Sequence, residues 1–211
     1  MSLDETQKKL NEYFSQKLET FGATAKGVDY NGEQAQQTRF AELVKIIQPG
    51  KPFTVIDYGC GYGAMFDFLV RQNLRFEYYG VDLIEKMISV GSEIHKENKN
   101  AHFFTNESDL PKTDYLVAAG IFNIKLDSPE DTWQKFICDT LVRMDSLCTM
   151  GFSFNMLTKY SDPVRMKERP DLYYGDPAFF FDFCKRNFSL DVALLHDYGL
   201  YDFTVLVRKN L

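Results

Sequence analysis

Positive charge is the scarcer sign in this sequence: 24 lysines and arginines face 30 aspartates and glutamates, a formal net charge of −6. Nucleic-acid binders need cationic surface to displace counterions from phosphates, so this balance speaks against a DNA or RNA partner. The densest basic patch, Lys159, Arg165, Lys167 and Arg169, is interrupted by Asp162 and Glu168 and reads as a solvated loop. Cysteine is also sparse. Cys60, Cys138, Cys148 and Cys184 show neither CxxC spacing nor a disulfide framework, which predicts reduced thiols and a cytoplasmic protein. No apolar stretch approaches the roughly 20 residues of a membrane span, and the polar opening, Met1 to Lys9, does not read as a signal peptide. No membrane partner is expected. Histidine is rarer still, with three residues, so few side chains are ready to accept a proton at neutral pH.

What is present suits an ordinary globular chain. The 211 residues are 45% hydrophobic and 26% charged, enough for one domain with a sizeable core. Leu10, Tyr13, Phe14, Leu18 and Phe21 recur at helical spacing over residues 4–21, and a second amphipathic helix is predicted from Glu33 towards Gln48. From Phe53 short apolar runs and helical patterns alternate: strands at 53–58, 76–82, 102–105, 114–120 and 148–154, helices at 63–72, 84–97 and 129–146. That alternation predicts an α/β fold, a mostly parallel sheet with helices on both faces. After a helix near 177–187, two strands around Gly199 predict an antiparallel hairpin. Residues 1–40 read as an N-terminal helical cap, and 41–211 as the Rossmann-like domain.

The strongest local signal is Val55-Ile-Asp-Tyr-Gly-Cys-Gly-Tyr-Gly, a strand that ends in Asp57 and runs into Gly59, Cys60 and Gly61 before a helix. Glycine there lets backbone approach a ligand closely and adopt positive φ. A dinucleotide turn would read GxGxxG, whereas the third glycine, Gly63, comes one residue too soon. The second signal is Asp82, followed by Leu83, at the end of the second strand. Its carboxylate can accept two ribose hydroxyls; an Asp at such a place also caps the next helix. The same arrangement reads the ribose of NAD, so Asp82 alone points to a nucleoside cofactor without choosing one.

Over roughly residues 35–210 the sequence resembles the class I S-adenosylmethionine-dependent methyltransferases, whose first motif is an acidic residue and a GxGxG turn after strand one. The resemblance implies seven strands in the order 3-2-1-4-5-7-6, with strand 7 antiparallel, and S-adenosyl-L-methionine as cofactor. It puts Asn106 near the adenine amino group, with Glu107 or Asp109 as alternatives. It lets the Gly120 carbonyl reach the cofactor's ammonium, and it gives Arg39 the cofactor's carboxylate as partner, an exposed helical Arg being the alternative. Gly120-Ile-Phe-Asn123 lacks the Asn/Asp-Pro-Pro-aromatic tetrapeptide of relatives that methylate amino groups of DNA bases or glutamine. Asn123 and Asp127 imitate the metal-holding carboxylates of catechol-type relatives poorly, so no metal is expected.

The acceptor is expected to be a small molecule, a metabolite or a sugar, roofed by residues 1–40 and by the segment 155–176 with Tyr160, Tyr173, Tyr174 and Asp176. His95 and His102 read as structural. His196, on the last hairpin with Tyr198 and Asp197 beside it, is the candidate base. A nicotinamide-dependent oxidoreductase and a non-catalytic cofactor-binding subunit are the competing functions, since cofactor motifs do not prove turnover.

Overall fold

The computed structural model describes residues 3–209. Seven strands, β1 (Phe53–Tyr58), β2 (Phe76–Val81), β3 (Ala101–Phe104), β4 (Thr113–Ala118), β5 (Cys148–Leu157), β6 (Asp191–Leu195) and β7 (Asp202–Arg208), form one sheet in the order β3-β2-β1-β4-β5-β7-β6. All neighbours up to β5 pair in parallel, and β7 runs antiparallel to both β5 and β6.

Strand alternation sends successive side chains to opposite faces, and each face has its own core. Ile56, Leu116, Phe154 and Val205 pack with Trp133, Ile137 and Leu141 of α5 (Glu130–Leu147) and with Phe180 and Cys184 of α7 (Pro177–Asn187). Val55, Tyr115, Val117 and Leu206 pack instead with Phe40 and Leu43 of α2 (Glu33–Leu43) and with Met65, Phe66 and Leu69 of α3 (Ala64–Arg71). Fully buried parallel strands explain why these runs are continuously apolar rather than alternating.

Several bounds differ from expectation. The second helix stops at Leu43 and tightens into a 3₁₀ turn, Val44–Ile46, before the Pro49-Gly50 corner. Because α2 spans residues 33–43, the division at residue 40 falls inside a continuous helix. β4 ends at Ala118, two residues early, and Gly120 already has φ of +71°. β5 runs on to Leu157 because β7 pairs with it from Gly151 to Leu157. A short helix, α6 (Pro163–Glu168), occupies the segment after β5; the Asp162 carboxylate accepts the Val164 and Arg165 amides, and Pro163 starts the turn.

The N-terminal helix α1 (Leu3–Phe21) lies across the carboxyl ends of the strands. Leu10, Tyr13 and Phe14 pack on Ile124, Leu157 and Leu172, and Leu18 packs on Ile84 and Met87, the latter in α4 (Glu85–Ile94). Lys9–Asp127 at 3.0 Å and Lys86–Glu19 at 2.5 Å tie its two ends to the body. Among the described residues, no helix is long and apolar enough to cross a membrane.

Candidate active site

Between α1 and the carboxyl ends of the strands lies a cavity of about 490 Å³, a size typical of small-molecule sites. It sits where β1 and β4, neighbours in the sheet, send their following helices to opposite faces. Open α/β sheets place ligands at this switch point.

The turn after β1 forms the floor. Gly59 and Gly61 have φ of +77° and +55°, which side chains with a Cβ rarely adopt, and a Cβ on Gly59 would stand 2.3 Å from Ile121. The Gly59 and Cys60 amides both donate to the Val81 carbonyl, at 2.8 and 3.0 Å, tying the turn to the end of β2.

Two carboxylates, one buried and one half-buried, flank that turn. Asp57 is 2% exposed and accepts the Tyr78 hydroxyl at 2.7 Å. Burial pushes its pKa up to about 7, the Tyr78 hydrogen bond opposes the rise, and the nearby Asp82 charge adds to it. Asp82 accepts the Gly61 amide at one oxygen and the Ile84 amide at the other, both at 2.9 Å. It thus organises the approach to α4 and braces the glycine turn together. One lone pair on each oxygen is left over. Burial raises its pKa as well, against the two amide hydrogen bonds.

Leu83 and Asn106 line the same cavity, both exposed. Asn106 leads into the 3₁₀ turn Glu107–Asp109, and Glu107 accepts the Tyr58 hydroxyl at 2.5 Å while standing 3.5 Å from the Arg143 guanidinium. At the end of β4, the Gly120 amide donates to Asn155 at 2.9 Å, and the Tyr30 hydroxyl donates to the Ala119 carbonyl at 3.2 Å.

Arg39 borders the cavity, yet its guanidinium is spoken for. It bonds Asp202 at two points and the Ala35 carbonyl at a third, and its ring neighbour is Tyr30 at 5.3 Å. Burial works against its charge, and the Asp202 carboxylate more than compensates. The alternative of an exposed helical Arg is thereby corrected: Arg39 is 7% exposed.

His196 and Tyr198 are not brought to the cavity. His196 is exposed beside Tyr160 and Phe203, and neither it nor Tyr198 is among the cavity-lining residues. The Tyr198 hydroxyl bonds Thr204 at 3.0 Å, and burial raises its pKa. The reason is topological: β6 is the edge strand, with β7 and β5 between it and the switch point. His95 packs between Phe66 and Phe103, and His102 meets Glu77 at 2.6 Å. Among the described residues no cluster of acidic, His or Cys side chains has the geometry of a metal site.

Sequence reasoning missed several lining residues. Tyr30, Trp133, Phe136, Arg143 and Arg165 all face the cavity from helices and loops whose docking only the tertiary fold sets. Arg165 was visible in the basic patch but carried no periodic signal.

No known family model matches the chain. It is 43% identical over 166 residues to the Mycobacterium tuberculosis protein called "Putative methyltransferase Rv1506c", covering 79% of this chain and 99% of the relative. It is 21% identical over 165 residues to the Mycoplasma genitalium protein called "Putative tRNA methyltransferase MG248", covering 74% of each. Among solved structures, the plantazolicin methyltransferase BpumL in complex with SAH superposes with a TM-score of 0.65 at 13% identity, over 98% of this chain and 99% of that one. That likeness is one of fold.

Proposed function

We propose, from the premise that this chain belongs to the class I S-adenosylmethionine-dependent methyltransferases, that its cavity holds the cofactor over the Gly59–Gly61 turn and a small-molecule acceptor beneath α1. The observation that carries this reading is the pair of carboxylates, buried Asp57 and half-buried Asp82, flanking a positive-φ glycine turn at the switch point. Bound there, the cofactor supplies an electrophilic methyl group on a sulfonium.

The chain's own residues fit that group. Asp82 retains lone pairs for two ribose hydroxyls after bracing Gly61 and Ile84. Asp57 holds its proton up to about pH 7, and a cationic ligand beside it favours the charged form. Asn106 presents an amide that pairs with the adenine edge, with Leu83 as an apolar wall. The Gly120 carbonyl lies on the methionine side, in a turn fixed by Asn155. Arg39 acts at one remove, holding Asp202, which in turn holds Asn155.

The displacement neutralises charge, so exclusion of water favours it, and in-line proximity is the main catalytic resource. The cap of residues 1–40 serves as the lid: α1 covers the cavity with Leu10 and Phe14, and Leu172 closes it from the loop after β5. His196 as base has no support from its position. A reducing, cytoplasmic setting belongs to the same reading and is supported by four free thiols.

The cavity roofed by α1 and the net charge of −6 favour a small acceptor, while the name of the Mycoplasma relative favours tRNA. Radiolabelled S-adenosylmethionine incubated with protein and either cell metabolite extract or bulk tRNA separates them. Label is expected in the metabolite fraction; label in tRNA alone would overturn the small-acceptor reading.

A further inference from the structure

Four arginines border the cavity, and three are committed to carboxylates. Arg39 is bonded to Asp202, Arg143 stands 3.5 Å from Glu107, and Arg169 bonds Asp171 at 2.9 and 2.7 Å. Arg165 differs: among the described residues no carboxylate lies within 4.0 Å of its guanidinium, which rests 5.9 Å from the Tyr201 ring. It is half-buried, and it belongs to the cavity wall rather than to the solvated patch of which the sequence makes it part. Arg169 stays beside it, and the two lysines of that patch separate from it. Lys159 pairs with Asp176 at 2.8 Å, and Lys167 is exposed and not among the lining residues.

The surroundings of Arg165 form a continuous wall. The Arg169 amide donates to the Arg165 carbonyl at 3.0 Å, and the Leu172 amide donates to the Arg169 carbonyl at 3.2 Å. Leu172 packs with Leu157, Ile124 and α1, and Tyr174 packs against the same cluster. The Tyr174 hydroxyl is buried without a hydrogen-bond partner. Burial raises its pKa, and the charges of Arg165 and Arg169 are close enough to oppose that rise. A partly desolvated guanidinium fork beside a second arginine matches a planar or tetrahedral oxyanion.

We infer that Arg165, with Arg169 beside it, forms a subsite that takes an oxyanion of the acceptor, so that the molecule to be methylated carries a carboxylate or a phosphate group. This rests on the reading of the cavity as a methyltransferase site. The charge pattern supports it, because Asp57 and Asp82 lie by the glycine turn whereas the free cation lies in the wall built by α6, the loop after it and α1. An anionic acceptor is thereby oriented with its charged end away from Asp57 and Asp82.

The test uses the full chain saturated with S-adenosylhomocysteine, titrated with sodium benzoate, inorganic phosphate or benzyl alcohol at constant ionic strength, with thermal melting as the readout. Benzoate or phosphate should raise the melting temperature and benzyl alcohol should not; the responding anion identifies the carboxylate or phosphate class. Arg165→Ala should weaken the responding anion about 10- to 100-fold. Arg165→Lys should recover only part of that loss, and Lys167→Ala should change nothing. S-adenosylhomocysteine affinity should stay within about twofold in all three variants, which also shows that they fold. A response to neither anion, or one that survives Arg165→Ala, would overturn the inference. So would a tenfold loss of S-adenosylhomocysteine affinity in Arg165→Ala, which would assign the arginine to the cofactor, or Arg165-dependent binding of tRNA in place of the small anions. Failure of the wild-type chain to bind S-adenosylhomocysteine would instead sink the underlying reading of the cavity.

Discussion

The Arg39 guanidinium grips the Asp202 carboxylate at two points, Nε to Oδ1 at 3.0 Å and Nη2 to Oδ2 at 2.5 Å, and Asp202 is 1% exposed. The partners are 163 residues apart. Asp202 Oδ1 also accepts the Asn155 amide at 3.1 Å, and Asn155 accepts the Gly120 amide at 2.9 Å. One buried network therefore runs from α2 through β7 and β5 to the turn after β4.

Removing one partner of such a pair leaves an uncompensated charge in the interior, which costs about 3–5 kcal/mol. Arg39→Ala should lower unfolding stability by that order in urea titration, with the wild-type chain as reference. Asp202→Asn should cost a comparable amount, since the amide keeps one acceptor but turns a donor toward the guanidinium and leaves its charge unpaired. If Arg39→Ala kept its stability and lost S-adenosylhomocysteine binding, the arginine would be a direct ligand of the cofactor's carboxylate.

Asp82→Ala should weaken S-adenosylmethionine and S-adenosylhomocysteine by roughly 2 kcal/mol or more, because charge-assisted hydrogen bonds to the ribose are lost. Gly61→Val should weaken both ligands by filling the floor; its Cβ would also come 3.0 Å from Val28, at a φ of +55°. Isothermal titration checks both, and wild-type affinity in the two variants would move the cofactor elsewhere.

Trp133 is the only tryptophan, 2% exposed, and its indole donates to the Phe122 carbonyl at 2.9 Å while the residue borders the cavity. Filling the cavity should change its fluorescence. S-adenosylhomocysteine is expected to shift the emission saturably and NAD to leave it unchanged; the reverse would favour a nicotinamide cofactor.

What the sequence exposed is what chain-local physics decides. The strand-to-turn switch at Asp57–Gly61, the carboxylate at Asp82 and the final hairpin all have signatures within a few residues, and the sheet order agrees with the resemblance. What stayed hidden depends on tertiary docking. Nothing near Arg39 announces Asp202, and nothing near Arg165 distinguishes a cavity wall from a solvated loop until β5 and α6 are in place. The position of His196 was hidden for the same reason: a hairpin is readable from its turn, but its distance from the switch point is set by two intervening strands.

The same edge position makes His196 a control. It is exposed and outside the cavity, so His196→Ala should leave S-adenosylhomocysteine affinity and methyl transfer to extract metabolites within about twofold of wild type. A fall in transfer of about 100-fold at unchanged cofactor affinity would restore it as a base.

Asp57 should write itself into the pH dependence of stability. In an unfolded chain an aspartate loses its proton near pH 3.9, whereas the buried carboxyl holds it up to about 7. Between those values the native state binds a proton that the unfolded state has released. Stability therefore falls as pH rises through this window, and the loss is complete above the folded pKa. Asp57→Asn keeps an acceptor for the Tyr78 hydroxyl and carries no charge to desolvate. The variant should match wild type near pH 4 and gain on it progressively up to about pH 7, with the difference constant beyond. Asp82, whose pKa is also raised, contributes to both curves, so the difference between them reports Asp57 together with its interaction with Asp82. Urea unfolding of both proteins at intervals from pH 4 to 8 makes the comparison. Parallel curves would mean that Asp57 is charged in the native state throughout, and that the Tyr78 hydroxyl or a bound cation outweighs its burial.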